Sequence, residues 1–100
     1  MRIEWTDHAM DLLDEQLSII TAARCREDAA RWLSRIEAAV AAIDTFPEAY
    51  PLSRVPALAI EGIHVISIKT YKVYYIIGDD VCHIISIRRA AMNVQSPLGL

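Results

Sequence analysis

Cysteine is scarce in this chain. The two present, Cys25 and Cys82, stand far apart and form neither a CxxC pair nor a Cys/His ligand cluster. Metal and redox chemistry therefore have no sequence support, and both thiols read as free and at least half-buried. No cofactor is implied. Long apolar runs are missing too: none approaches the roughly 20 residues of a membrane span, and Arg2, Glu4 and Asp7 are incompatible with a secretory signal. A cytoplasmic protein without membrane contact is expected. A basic excess is also lacking, since ten Lys and Arg face thirteen Asp and Glu for a net charge of −3. Nothing draws the chain as a whole to a polyanion, and nucleic-acid binding would need a local basic patch. Repeats and low-complexity segments are absent.

What is present is 100 residues with an apolar fraction of 54%. The length suits one domain, residues 1–100, with a single core. The apolar fraction lies above the roughly 45–50% usual for soluble chains, so some apolar surface is expected to be covered by a partner.

In chain order, Ile3 and Trp5 alternate with Arg2 and Glu4, which predicts a short strand over 1–5, and Thr6 offers a helix N-cap. Ala9, Leu12, Leu13, Leu17 and Ile20 then mark the stripe of an amphipathic helix from Asp7 to about Ala23. The pattern breaks at 24–27 and resumes from Asp28 to Ile43 through Ala29, Trp32, Leu33, Ile36, Ala39 and Val40. Two helices so closely joined should form a hairpin. Phe46-Pro47 ends the second helix, and Pro47, Pro51 and Pro56 hold a connection of more than ten residues in which Phe46, Tyr50 and Leu52 are candidates for core packing.

From Ile60 to Arg89 three β-branched and aromatic runs are separated by Lys69-Thr70 and Gly78-Asp79-Asp80, the pattern of an antiparallel meander. The expected fold is α+β: a strand, a helical hairpin, then a three-stranded meander with both helices on one sheet face. The tail, 90–100, has no clear periodicity.

Side chains alternate along a strand, so Tyr71, Val73, Tyr75 and Ile77 oppose Lys72, Tyr74 and Ile76. If the apolar set meets the helices, the other face displays Lys69, Lys72, Tyr74, Ser86 and Arg88. It would also expose Ile63, Val65, Ile76, Cys82 and Ile84, a patch suited to a protein partner unless Met92, Val94 and Leu98 of the tail cover it. His64 and His83 stand among aliphatic residues without acidic or nucleophilic companions, so each reads as structural.

In its order of elements the chain resembles the RelE/ParE superfamily of type II bacterial toxins. The residues that carry the resemblance are the strand ending in Trp5, the helical hairpin, Phe46-Pro47, the Tyr71-Lys72-Val73-Tyr74-Tyr75 core, the Gly-Asp-Asp turn and the Ile-Ser-Ile-Arg-Arg ending. The resemblance implies the toxin of a toxin–antitoxin pair, of the kind associated with plasmid stabilisation, with a cognate antitoxin as partner. It also implies a homodimer or a heterotetramer with that antitoxin, and contact with DNA only through it. RelE-like members cleave mRNA on ribosomes; ParE-like members poison DNA gyrase.

Cleavage through the 2′-hydroxyl needs a base, an acid and cations. Where RelE-like enzymes carry two lysines in the first meander strand, this chain has Ile63 and Val65. One arginine place holds Lys72, the other falls at Ala90 beside Arg89, and no tyrosine follows Tyr75. The resemblance thus favours a ParE-like, non-enzymatic toxin, with Lys69, Lys72, Tyr74, Ile76, Ile84, Arg88, Arg89 and the tail as the surface for target or antitoxin. The alternatives are an mRNA endonuclease using Lys72, Arg88, Arg89 and His64, and a family relic that only binds.

Overall fold

The computed structural model describes residues 2–89 of the chain. It begins with strand β1 (Arg2–Trp5), followed by helices α1 (Asp7–Ala23) and α2 (Arg26–Thr45). The Thr6 hydroxyl accepts from the Ala9 amide at 3.1 Å and fixes the start of α1. Helix α2 starts two residues before the sequence pattern suggests, because Cys25 Sγ accepts from the Asp28 amide at 3.4 Å and does the work of a capping oxygen.

A short helix α3 (Pro56–Ile60) precedes the meander strands β2 (Ile63–Ile68), β3 (Tyr71–Ile77) and β4 (Val81–Arg89). At the β3–β4 turn a Cβ on Gly78 would lie 2.8 Å from the Val81 carbonyl, so only glycine fits there. At the β2–β3 turn Lys69 takes a left-handed conformation, φ 54°.

The α+β expectation holds, with a mixed sheet. Its order is β1-β4-β3-β2, antiparallel through the meander, with β1 parallel to β4. Helices α1 and α2 pack against each other and on one face of this sheet. Ala9, Leu13, Trp32, Ile36 and Ile43 meet Ile66, Val73, Tyr75, Cys82, Ile84 and Ile87 in the main core. The helix stripes read from the sequence are the stripes that point inward. Trp32 lies tilted on Tyr71 with ring centroids 5.0 Å apart, and the Tyr71 hydroxyl donates to Gln16 Oε1 at 3.2 Å.

The connection from 46 to 62 differs from the expected irregular loop. Residues 51–53 run along the outer edge of β2: Leu52 bridges His64, the Ser53 amide donates to the Ile63 carbonyl at 2.8 Å, and the Val65 amide to the Pro51 carbonyl at 3.1 Å. Of the three residues expected to anchor it, Tyr50 packs on the core, whereas Phe46 is 68% and Leu52 45% exposed. Backbone pairing, with hydrogen bonds from Tyr75 and His64, holds the segment in place of those two side chains.

Candidate functional site

The face of the sheet turned away from α1 and α2 is the candidate site, and it is only partly open. Helix α3, begun by Pro56 at its first turn, lays Leu58 on Ile63 and Tyr74. All three are buried, with Val55, Val65, Ile76 and Ile85 packed around them. Burial raises the pKa of the Tyr74 hydroxyl, and the nearby Arg88 guanidinium offsets part of that rise.

Two expected members of this face lie elsewhere. Ile84 and Cys82 are fully buried in the main core, beneath the helices. The reason is a β-bulge: Tyr75 pairs with Ile84 but Tyr74 pairs with Ser86, which leaves Ile85 as an extra residue and reverses the alternation of β4. Ile85 therefore packs with the α3 cluster, while Ile84 and Ile87 both face the helices. Burial also pushes the Cys82 thiol up, so it stays protonated and inert. Ile63 and Tyr74, expected at the surface, lie under Leu58, and Ser86 is 0% exposed. The continuous apolar patch inferred from sequence is thus not exposed: α3 covers Ile63, with Val65 and Ile76 packed around it, and the bulge turns Cys82 and Ile84 to the main core.

What the face brings together is a cationic group at the end of the meander. Lys72 and Arg88 are directly paired across β3 and β4, each half-buried, next to the Tyr74–Ser86 pair. Like charges opposite one another on a sheet repel. Lys69 is exposed at the neighbouring turn, and Arg89 is exposed opposite Tyr71, one position out of phase with Arg88. Ile76 stands half-buried further along the same face, directly paired with His83. The Ser86 hydroxyl is buried without a hydrogen-bond partner among the described residues, which is costly for a polar group.

His64 is not part of this group. It pairs with Tyr75 and stacks on its ring, centroids 5.2 Å apart, on the helix-facing side. Its Nδ1–H donates to the Tyr50 carbonyl at 2.7 Å. The Tyr75 hydroxyl in turn donates to the Pro47 carbonyl at 2.7 Å. These two side chains tie the proline-rich connection to the sheet. His83 sits at the opposite end of β4, its Nδ1 4.0 Å from Glu4 Oε2. Arg2 Nε also approaches Glu4, at 3.2 Å, so histidine, carboxylate and arginine meet at the β1 side of the sheet, away from Lys72 and Arg88. Among the described residues no group of three potential metal ligands exists. The candidate nuclease set is therefore divided: Lys72 and Arg88 adjoin, Arg89 is out of phase, and His64 is across the sheet.

The sequence reading missed Leu58 and Val55, which cover the face, and Ile85, which the bulge turns onto it. A signal for the first two was present: Pro56, at the first helical position, marks a helix start. The tail residues proposed as a cover or contact, Met92, Val94 and Leu98 among them, and Ala90, lie outside the described residues.

A family model described as "ParE toxin of type II toxin-antitoxin system, parDE" matches residues 3–94. Ten chains of solved structures also match. One comes from a structure titled "Chromosomal ParDE TA system from P. aeruginosa", with a TM-score of 0.75 and 19% identity, over 89% of this chain and 95% of that one. At that identity the likeness speaks for the fold. No curated protein matches. No helix among the described residues is long and apolar enough to cross a membrane.

Proposed function

This chain belongs to the ParE toxin family of type II toxin–antitoxin systems, and on that premise we propose that it acts in the cytoplasm as a single toxin domain, inhibiting DNA gyrase by protein contact and silenced by a cognate antitoxin. The antitoxin's contact is assigned to the second face of the sheet. There Lys72 and Arg88 stand opposed across β3 and β4, on the same face as half-buried Val65, Ile76 and Ile85. An extended or helical segment that alternates carboxylates with apolar residues complements that surface, because each carboxylate relieves the repulsion between the two cations. Lys69 and Arg89, exposed at its border, extend the same charge.

The observation that carries the non-nuclease reading is the position of His64. It is held on the far side of the sheet by Tyr50 and Tyr75, so the face with the cations has no histidine within its own cluster to move a proton. The positions that hold lysines in RelE-like enzymes hold Ile63 and Val65 here, one buried and one packed under α3.

Two assays on the full chain test this reading. In a supercoiling assay with purified gyrase, the protein is expected to inhibit the enzyme, and Arg88→Glu to weaken inhibition or antitoxin binding by about tenfold or more. In a ribosome-programmed mRNA assay it is expected to leave the message intact. Message cleavage that disappears with Lys72→Ala or His64→Ala would replace the gyrase reading with the endonuclease one. Full growth of cells expressing the chain without antitoxin would identify a relic that only binds.

A further inference from the structure

The outer edge of β1 is unpaired among the described residues. Its even-numbered residues spend their backbone groups on β4: the Arg2 amide reaches the Asp80 carbonyl at 3.3 Å and the Thr6 amide the Ile84 carbonyl at 3.0 Å. Successive residues of a strand aim these groups to alternate sides, so the N–H and C=O of Ile3 and Trp5 point away from β4. The opposite edge of the sheet, on β2, is occupied by residues 51–53. Beside the free edge, between β1 and α2, lies an open groove of about 460 Å³ with Ile3, Val40 and Ala41 in its lining.

Charged residues on an edge strand ordinarily discourage pairing. Here the order of signs about Ile3 favours one arrangement. When two copies of β1 pair antiparallel about a two-fold axis, opposed residues share a face, which restricts the register to opposed residues of equal parity. A register centred on Arg2 sets arginine against arginine, and one centred on Glu4 sets glutamate against glutamate. Only the register centred on Ile3 sets Arg2 of each copy opposite Glu4 of the other. That same register makes Ile3 a hydrogen-bonded pair with its counterpart, which its outward-pointing backbone groups require.

We propose that a second copy of this chain docks on the free edge of β1, antiparallel and centred on Ile3, joining two four-stranded sheets into one. Arg2 Nε, 3.2 Å from Glu4 Oε1 of its own strand, gains Glu4 of the other copy, and a ladder of alternating charge runs across the axis. On the helix-facing side the two grooves meet over the paired Ile3 side chains, with Val40 and Ala41 of each copy as apolar walls. Glu37 and Asp44 also line the groove and bring like charge toward the axis, which weakens the association and keeps the dimer from being obligate.

Sedimentation equilibrium of the full chain at low salt, made by cell-free synthesis, tests the register directly. Arg2→Glu and Glu4→Arg are each expected to weaken the dimer by about tenfold, and the double exchange to restore it, because the ladder then repeats with signs reversed. Ile3→Pro, which removes an outward N–H and no bond to β4, is expected to abolish dimerisation while circular dichroism reports an intact fold. A chain that stays monomeric at every concentration, or a dimer indifferent to these exchanges, overturns the proposal.

Discussion

The two faces of the sheet are made from the same β-branched and aromatic residues, yet they are finished differently. The helix-facing side meets two long helices through Trp32, Ile36, Ile43, Val73, Ile84 and Ile87; Tyr75 is tied to Pro47 and His64 to Tyr50, and Trp32 Nε1 is its one buried polar side-chain atom without a hydrogen-bond partner among the described residues. The other side meets one five-residue helix through Leu58. It leaves two cations opposed across β3 and β4, and a buried serine hydroxyl without a hydrogen-bond partner among the described residues. A face closed by its own chain contributes stability. A face closed only in part, with repelling charges at its margin, gains most from a second protein.

The largest expected effect sharpens that contrast. Ile36→Ala, at a fully buried position of the main core, is expected to cost about 3–4 kcal/mol in urea unfolding, because two helices and a sheet cannot collapse into the space. Leu58→Ala, equally buried, is expected to cost about 2 kcal/mol, since a one-turn helix can settle onto Ile63 and Tyr74. Equal costs for the two would break the comparison and rank the second face as a true core.

Next comes Tyr75→Phe, expected to lose about 1 kcal/mol with the bond to Pro47. Burial, followed by the charges of Cys82 and Tyr50, pushes the Tyr75 hydroxyl up to about 12 from its ordinary 10.0. The folded state thus holds this proton more tightly than the unfolded chain does. Its contribution is intact below the unfolded value and is lost as pH rises from the unfolded toward the folded one. Unfolding free energy measured across that alkaline window should fall in the native chain and fall less in Tyr75→Phe.

The smallest effect is on the other face. Lys72→Ala is expected to change stability by no more than about 0.5 kcal/mol, with a gain as the favoured sign, because it removes one of two like charges on paired residues. A loss of several kcal/mol on denaturant titration would show that the pair belongs to the fold and not to an interface.

Much of this was legible before any tertiary structure. Period-3.6 stripes gave α1 and α2 with their inward faces, and β-branched runs between Lys69-Thr70 and Gly78-Asp79-Asp80 gave the meander. Tyr71, Val73, Tyr75 and Ile77 pointed to the helices as alternation requires. The site was less legible. Ile84 and Cys82 were placed on the wrong face because one extra residue, Ile85, inverts the parity of β4, and a bulge leaves no mark in composition. Arg89 and Arg88 read as one cationic end, though their pairing with Tyr71 and Lys72 puts them out of phase.

By itself, then, the sequence determined β1, α1, α2 and the three meander strands, in order, because each rests on neighbours within a few residues: periodicity, caps and turn chemistry. Only the tertiary structure decided that β1 lies parallel to β4, that 51–53 edge β2, that α3 closes half of the second face, and that His64 stands across the sheet from Lys72 and Arg88. Each of these is a pairing between segments distant in the chain, chosen by which partner buries apolar surface and satisfies backbone groups, and local pattern carries no record of that choice.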